Sequence, residues 1–534
     1  MREALEFLER HIKEAGPLAT DYHEKYWTSA LSGRPEDAGA SAAAKARLLT
    51  IYSRPDEYAR LLRLKESSSA DPLVHRQLTV LALEYPGRQL DPEVLTELTR
   101  REEEIEQTFN SFRATLESTM VNDNQLRQLL REETDPGRRR MAWEASKQIG
   151  VHVVGPLLEL VKLRNKEARL LGYRDHFAMA LAQQELDEPT LFSLLGRLQR
   201  MTDAPFWRIK ADIDRTLASR YGLAQWNSRP WLYADPFFQE SPPGSAAVDL
   251  DAHFAGQDLE ALTRRTFEGV GLPVDHLFAS SDFYERAGKS QHAFCLHVDR
   301  AGDVRVLCNI QANEYWMSTM LHEFGHAIYD AELDDELPWT LRTPAHTMTT
   351  EAVAMLFGRL TRNADWLTRV AGVPKEEADR LSAEVQRALT IGQLIFVRWG
   401  LLMVHFEREM YRDPSQDLNQ LWWTMAKDFQ GVEAPPDRSQ PDWASKIHLS
   451  VAPVYYQNYL LGEMTASQIE TALLAHVGGG TPAASFVDNP AAGTFLRESL
   501  FRLGGRYDWN ETIRRATGRS LDPEYWIGQF AAVD

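Results

Sequence analysis

Cysteine is almost missing from this chain: Cys295 and Cys308 are the only two in 534 residues. That excludes a disulfide framework and suits a reducing compartment, so free thiols are expected. Positive charge is also in deficit, with 59 Lys and Arg against 77 Asp and Glu and a net charge of −18. Such a surface repels nucleic acid and anionic membranes. No run of 18 or more apolar residues occurs, so no transmembrane helix is expected. The first residues, MREALEFLERHIKEAG, scatter charge throughout and have no apolar stretch, so no secretory leader is expected either. No period of 20–50 residues repeats, which argues against a solenoid. These absences lead to the expectation of a soluble cytoplasmic protein with no nucleic-acid and no membrane partner.

What is present is mostly helical periodicity. The first 130 residues read as long, charged, amphipathic helices, and helical pattern returns at 137–173, 188–221, 255–270, 374–411 and 416–430. Breakers cluster at 241–247, 431–443 and 477–484, but composition does not shift between the halves and no linker separates independent domains. One stretch reads as β: Phe294, Leu296 and Val298 alternate, then Val304, Val306, Cys308 and Ile310. A three-residue loop, Arg300–Gly302, would pair Val298 with Val304 and Phe294 with Cys308, placing the two cysteines on opposite faces.

The segment MLHEFGHAIYD, residues 320–330, carries two histidines four apart with a glutamate after the first. That spacing stacks His322 and His326 one turn apart on a helical face, as two imidazoles on one zinc require, with Glu323 placed to act as a base. Met317, Met320, Leu321, Phe324 and Ile328 form an apolar stripe on nearly the opposite side. The plainer alternative is two surface histidines on an amphipathic helix. A third ligand is needed, and Glu351 in TTEAVAMLFGRL is followed by residues apolar on every side of a helix, which implies burial. Glu351 reads either as a ligand or as a first-turn acid that favours the helix dipole. The nearer acids, Asp330, Glu332, Asp334, Asp335 and Glu336, read as mostly solvated.

The HEFGH motif followed 25 residues later by Glu351 resembles the gluzincin metallopeptidases, specifically the angiotensin-converting-enzyme family, with the thimet-oligopeptidase family next nearest. LPWTLRTPAHTMTTEA, residues 337–352, is similar to the converting enzymes' Leu-Pro-x-x-Leu-Arg run before a ligand Glu-Ala. His292, twelve residues before Val304-Arg305-Val306, resembles their histidine before an edge strand. KIHLSVAPVYYQNYLLGE, residues 446–463, resembles their Lys-x-His followed by two tyrosines, and the segment RNKEARLLGYRDH, residues 164–176, agrees more loosely.

The resemblance implies a mainly α peptidase fold, split by a deep cleft, with a small antiparallel hairpin beside the HExxH helix. It implies one catalytic unit over 1–534 built of two interwoven helical halves, a helical lid over 1–130, and an active-site core at 285–360 and 440–465. His322, His326 and Glu351 would hold one Zn2+ per chain, and Glu323 would be the general base. His448 and Tyr459 would stabilise the oxyanion, with His292, Lys446 and Tyr455 or Tyr456 binding substrate. Lys446 at a terminal carboxylate implies release of dipeptides from short peptides. An endo-acting oligopeptidase and a catalytically silent peptide-binding protein are the other readings. Three departures stand out. The interval from His448 to Tyr459 is one residue longer than in the converting enzymes. Asn458 occupies the place of a chloride-binding arginine, which removes the basis for expecting chloride activation. Met355 occupies the place of an acid that orients a ligand histidine.

Overall fold

The structure, a computed structural model, describes residues 1–242, 248–436, 438–480 and 483–531; 243–247, 437 and 481–482 of the three breaker stretches lie outside the described residues. It is 69% helical with two small antiparallel two-stranded sheets. This is the mainly α fold that the sequence leads one to expect. The chain forms two compact units, each discontinuous in sequence: 1–89, 249–383 and 461–525 in the first, 90–248, 384–460 and 526–534 in the second. Residues 1–130 thus contribute to both.

In the first unit the helices Pro35–Tyr52, Pro55–Ser67 and Pro72–Leu83 each begin on a proline, where the missing N–H costs nothing. Asp71 caps the last of these by accepting from the backbone N–H groups of Leu73 and Val74. With the helix Arg2–Ser32 they close a core of Phe7, Leu8, Leu61, Leu78 and Tyr85 against which Trp339 packs. In the second unit the long helices Pro136–Leu170 and Glu188–Arg220 start on the side-chain caps of Asp135 and Asp187. Among the described residues, one helix, Lys375–Arg412, is long and apolar enough to cross a membrane, with a window of mean hydropathy 1.5. Within the protein 61% of that window is buried, as in the core helix of a folded domain.

The hairpin forms in the first unit as strands Phe294–His297 and Val304–Leu307, but its register differs from the expected one. Phe294 pairs with Leu307 and Cys295 with Val306, a slip of one residue. The loop is longer than three residues because Val298 N–H donates to the Asp303 carbonyl at 2.8 Å. The Asp299 carboxylate closes it, accepting from the N–H of Ala301 at 2.7 Å and of Asp303 at 3.1 Å. Arg300 (φ 57°) and Gly302 (φ 111°) both take the left-handed conformation. The thiols are free, as expected. The slip pairs Cys295 with Val306 and leaves Cys308 one residue beyond the strand, so the two cysteines are not kept apart by opposite faces.

Candidate metal centre and active site

The helix Glu314–Ala331 carries the HExxH motif and starts at Asn313, whose side chain accepts from the Trp316 N–H. Met317, Met320, Leu321, Phe324 and Ile328 are all fully buried, so the apolar stripe is the back of the helix. His322 and His326 stand on the other side, half-buried, with ring centroids 4.9 Å apart. Gly325 lets a second helix, Thr347–Gly358, approach this one: a Cβ there would lie 2.8 Å from Ala354 Cα. The plain surface-helix reading of the two histidines therefore fails, because the helix is packed on both flanks of the motif.

The second helix begins at Thr347 under a cap from His346, whose Nδ1 accepts from Met348 N–H at 3.0 Å. Glu351 is its fifth residue, in the second turn, so the first-turn dipole reading does not apply. Glu351 Oε2 lies 3.6 Å from His322 Nε2 and 3.9 Å from His326 Nε2, and donor atoms of all three lie within 4.8 Å of one another. The neighbours of Glu351 are buried as expected, while its own side chain keeps 31% exposure.

The donors are in the form a cation needs. Burial pushes the His322 imidazole down to about 4 and, with the charge of His322 adding to burial, His326 down to about 3, so both are neutral near pH 7. Burial raises the Glu351 carboxyl. His326 Nδ1 bonds the Thr350 hydroxyl at 2.7 Å, which leaves Nε2 directed at Glu351 and orients the ring. Thr350 thus gives this histidine a side-chain hydrogen-bond partner. Two neutral imidazoles and one carboxylate, with fewer protein donors than a closed structural site, fit a zinc ion and leave room for a water. Glu323 is 8% exposed; burial first and the Glu351 carboxylate second push it up to about 8, opposed by the backbone N–H of Cys295. His292, in the same unit, is exposed just before the hairpin, and its carbonyl accepts from Ser290 Oγ at 3.5 Å.

The second unit gathers the other expected residues. Lys446 is 9% exposed, not a solvated surface charge. Its Nζ donates to Gln239 Oε1 at 2.9 Å and lies 5.2, 5.5 and 5.8 Å from the ring centroids of Trp399, Phe237 and Tyr456. Among the described residues it has no ion pair, and burial pulls it down to about 8. Gln239 escapes sequence reasoning because it lies 207 positions away and carries no motif. Its backbone N–H is held by the buried Asp235 carboxylate at 2.9 Å.

The tyrosines separate by environment. Tyr456 is buried beside Lys446 and accepts from Trp399 Nε1–H at 3.2 Å. Tyr455 and Tyr459 are less buried and pack edge to face at 5.2 Å. His448 lies 5.1 Å from the Tyr456 ring; burial and then the Lys446 charge push it down to about 4, and its Nδ1 is buried without a partner. Between His448 and Tyr459, Val454 is left-handed at φ 53° and held by the Glu407 carboxylate on its N–H at 2.8 Å. Asn458 Nδ2 donates to Gln184 Oε1 at 2.8 Å. Lys446 and His448 also line a cavity of about 290 Å3 whose other walls include Phe109, Phe112, Ile149 and Phe237.

Comparison with known proteins agrees with this geometry. The sequence model of the family described as angiotensin-converting enzyme matches residues 1–235 and 278–527. The angiotensin-converting enzyme of Theromyzon tessulatum is 20% identical over 97% of this chain and 88% of its own length. The angiotensin-converting enzyme-like protein Ace3 of Mus musculus is 22% identical over 81% of this chain, and the angiotensin-converting enzyme of Sus scrofa 23% identical over 71%. The aligned part covers 62% of the mouse protein and 31% of the pig enzyme. A family match over most of the length, on a helical fold that brings two histidines and a glutamate together, shows that the chain belongs to the angiotensin-converting-enzyme family of metallopeptidases.

Proposed function

We propose that this chain is a zinc peptidase that releases dipeptides from the free C-terminus of short peptides. The observation that carries the exo-acting part is the Lys446 ammonium, buried among three aromatic rings with Gln239 as its one hydrogen-bond partner and no ion pair among the described residues. A buried cation that feels the Asp235 carboxylate only at a distance and pairs with none is costly, and a terminal carboxylate supplies a direct partner. Gln239 adds a side-chain amide donor to the same point, and Tyr456 adds a phenol beside it. The neighbouring cavity, mostly aromatic and aliphatic, takes the side chain of the C-terminal residue.

His322, His326 and Glu351 are the residues that would hold the zinc. When bound, the metal supplies Lewis-acid activation of water and of the peptide carbonyl. Glu323, in the carboxylate form that the zinc charge would favour, accepts the water's proton and delivers it to the leaving amine. Its burial keeps competing water away, and the Cys295 N–H fixes its position. Tyr459 and His448 donate to the oxyanion as charge develops there. His292 bonds a substrate carbonyl, and the hairpin strand offers an edge on which an extended peptide lies. In the observed register Phe294 and Leu296 spend their backbone groups on the partner strand, so those of Cys295 and His297 point to the outer edge, where the Cys295 N–H already holds Glu323.

A ten-residue peptide with a free and with an amidated C-terminus, each incubated with and without chelator, tests this. Chelator-sensitive release of dipeptides from the free form alone is the expected result. Internal cuts in both forms would replace the reading with an oligopeptidase. No cleavage by metal-loaded protein would replace it with a silent peptide-binding protein.

A further inference from the structure

Of the acids near the motif that the metal chemistry does not use, Glu332 is paired with Arg497, while Asp330 is enclosed with no such pair among the described residues. It stands at i+8 from His322 and i+4 from His326, so the three side chains share one stripe of the helix. Their exposures are 30%, 16% and 15%, so Asp330 is as enclosed as the second histidine and faces the same way. No hydrogen-bond donor reaches its carboxylate among the described residues; the nearest nitrogen, His297 Nδ1, lies 3.8 Å away. That imidazole supplies no charge, because burial pushes it down to about 4. The other cation in the neighbourhood, Arg300, opposes the burial effect on Asp330 through its charge but makes no hydrogen bond to it; its guanidinium lies 4.3 Å over the Trp339 ring and donates to the Trp339 carbonyl at 3.4 Å. A carboxylate this enclosed with no donor is expensive, and here burial raises it to about 7.

Two further observations say what would meet it. His297 sits on the hairpin strand on whose outer edge the proposed reaction lays an extended peptide, so a peptide there runs past the His297 side chain, whose Nδ1 lies 3.8 Å from Asp330. Along the helix Asp330 lies about 6 Å beyond His326 and about 10 Å beyond Glu323, or two to three residues of extended peptide from the bond cut. In the proposed reaction the two residues on the carboxyl side belong to Lys446 and its cavity. The residue at Asp330 is then on the amino side.

We propose that Asp330 is a specificity-determining residue that takes a cationic side chain, lysine or arginine, two or three residues to the amino side of the bond cut. This rests on the peptidase reading above. The shared chemistry, an ammonium or guanidinium group, could also be the peptide's own α-amino terminus, and the test separates the two.

N-acetylated peptides carrying Lys, Leu or Glu at the second or third position before the cut are compared on zinc-loaded wild type and on Asp330→Asn. Charge-assisted hydrogen bonds of about 1.5–3 kcal/mol correspond to roughly 10- to 150-fold. The wild type is expected to prefer Lys over Leu by about that factor in kcat/KM at one of the two positions. The Asp330→Asn ratio should fall to near unity, and Asp330→Lys should favour Glu. An unchanged Lys-to-Leu ratio in Asp330→Asn, or no preference in the wild type, overturns the assignment. A preference present only in peptides with a free α-amine, and lost on acetylation, gives the site to the terminus instead. If nothing is cut, equilibrium binding of the same peptides decides. Discrimination that Asp330 controls would sink the peptidase reading and keep this one, binding without discrimination would sink this one, and no binding would sink both.

Discussion

Thr350→Val removes one hydroxyl from behind a candidate metal ligand while nearly conserving shape. In the native protein that hydroxyl bonds His326 Nδ1 at 2.7 Å, and the His326 side chain is 16% exposed, so water can replace it only in part. A desolvated donor without a partner costs about 1–3 kcal/mol. At about 1.4 kcal/mol per decade that becomes roughly 5- to 150-fold in affinity, in line with the 10- to 100-fold typical of partners behind a ligand. Thr350→Val should therefore weaken zinc binding by roughly 10- to 100-fold, read by competition with a chromophoric chelator at fixed pH. Thr350→Ser keeps the hydroxyl and should stay within about threefold of wild type, a small fraction of the loss above. Unchanged affinity in the valine variant, or equal losses in both, would refute the role given to Thr350.

Gly325→Ala should destabilise the protein, because the new Cβ would meet backbone at 2.8 Å; overpacking of about 1–3 kcal/mol is offset in part by about 1 kcal/mol of helix propensity, and denaturant titration reads the balance. An unshifted midpoint together with unchanged zinc affinity would show the two helices free to separate. Zinc at about 100 times its dissociation constant should stabilise the wild type by about 2.7 kcal/mol and His322→Ala far less, measured as a shift in thermal midpoint on metal addition or chelation. Lys446→Met should raise KM for a free C-terminus by about 30-fold or more and leave amidated peptides unaffected; equal effects on both would remove Lys446 from the carboxylate. Burial holds Lys446 at about 8, below its usual 10.5, so the unfolded chain binds more protons between those values. The Lys446 contribution to stability therefore rises with pH across that window, while KM for free-C-terminus peptides increases above pH 8; a KM flat from pH 7 to 10 would contradict it.

How much was legible in the sequence can be judged residue by residue. The HExxH pair and its apolar back are local, set by 3.6-residue periodicity, and they fold as read. Glu351 was legible as a position but not as a choice between ligand and dipole partner, because that depends on where the helix starts, and His346 sets the start. The hairpin existed in the pattern, but its register did not, since a carboxylate at Asp299 and a left-handed Arg300 decide loop length. Asp330 read as solvated because an acid near a helix end normally is. Its enclosure comes from His297 on a strand that folds over the helix.

The sequence by itself determined the helical class and the two imidazoles facing one way, and with two cysteines it excluded a disulfide framework, since these follow from short-range spacing and composition. Only the tertiary structure decided which groups complete the chemistry. It set Thr350 behind His326, Gln239 at Lys446, and Tyr456 rather than Tyr455 beside that ammonium, and it left Asp330 without a donor among the described residues. The reason is physical. A hydrogen bond across two hundred residues leaves no periodicity in the chain, and the cost of a buried charge depends on which neighbours the fold brings within a few ångströms.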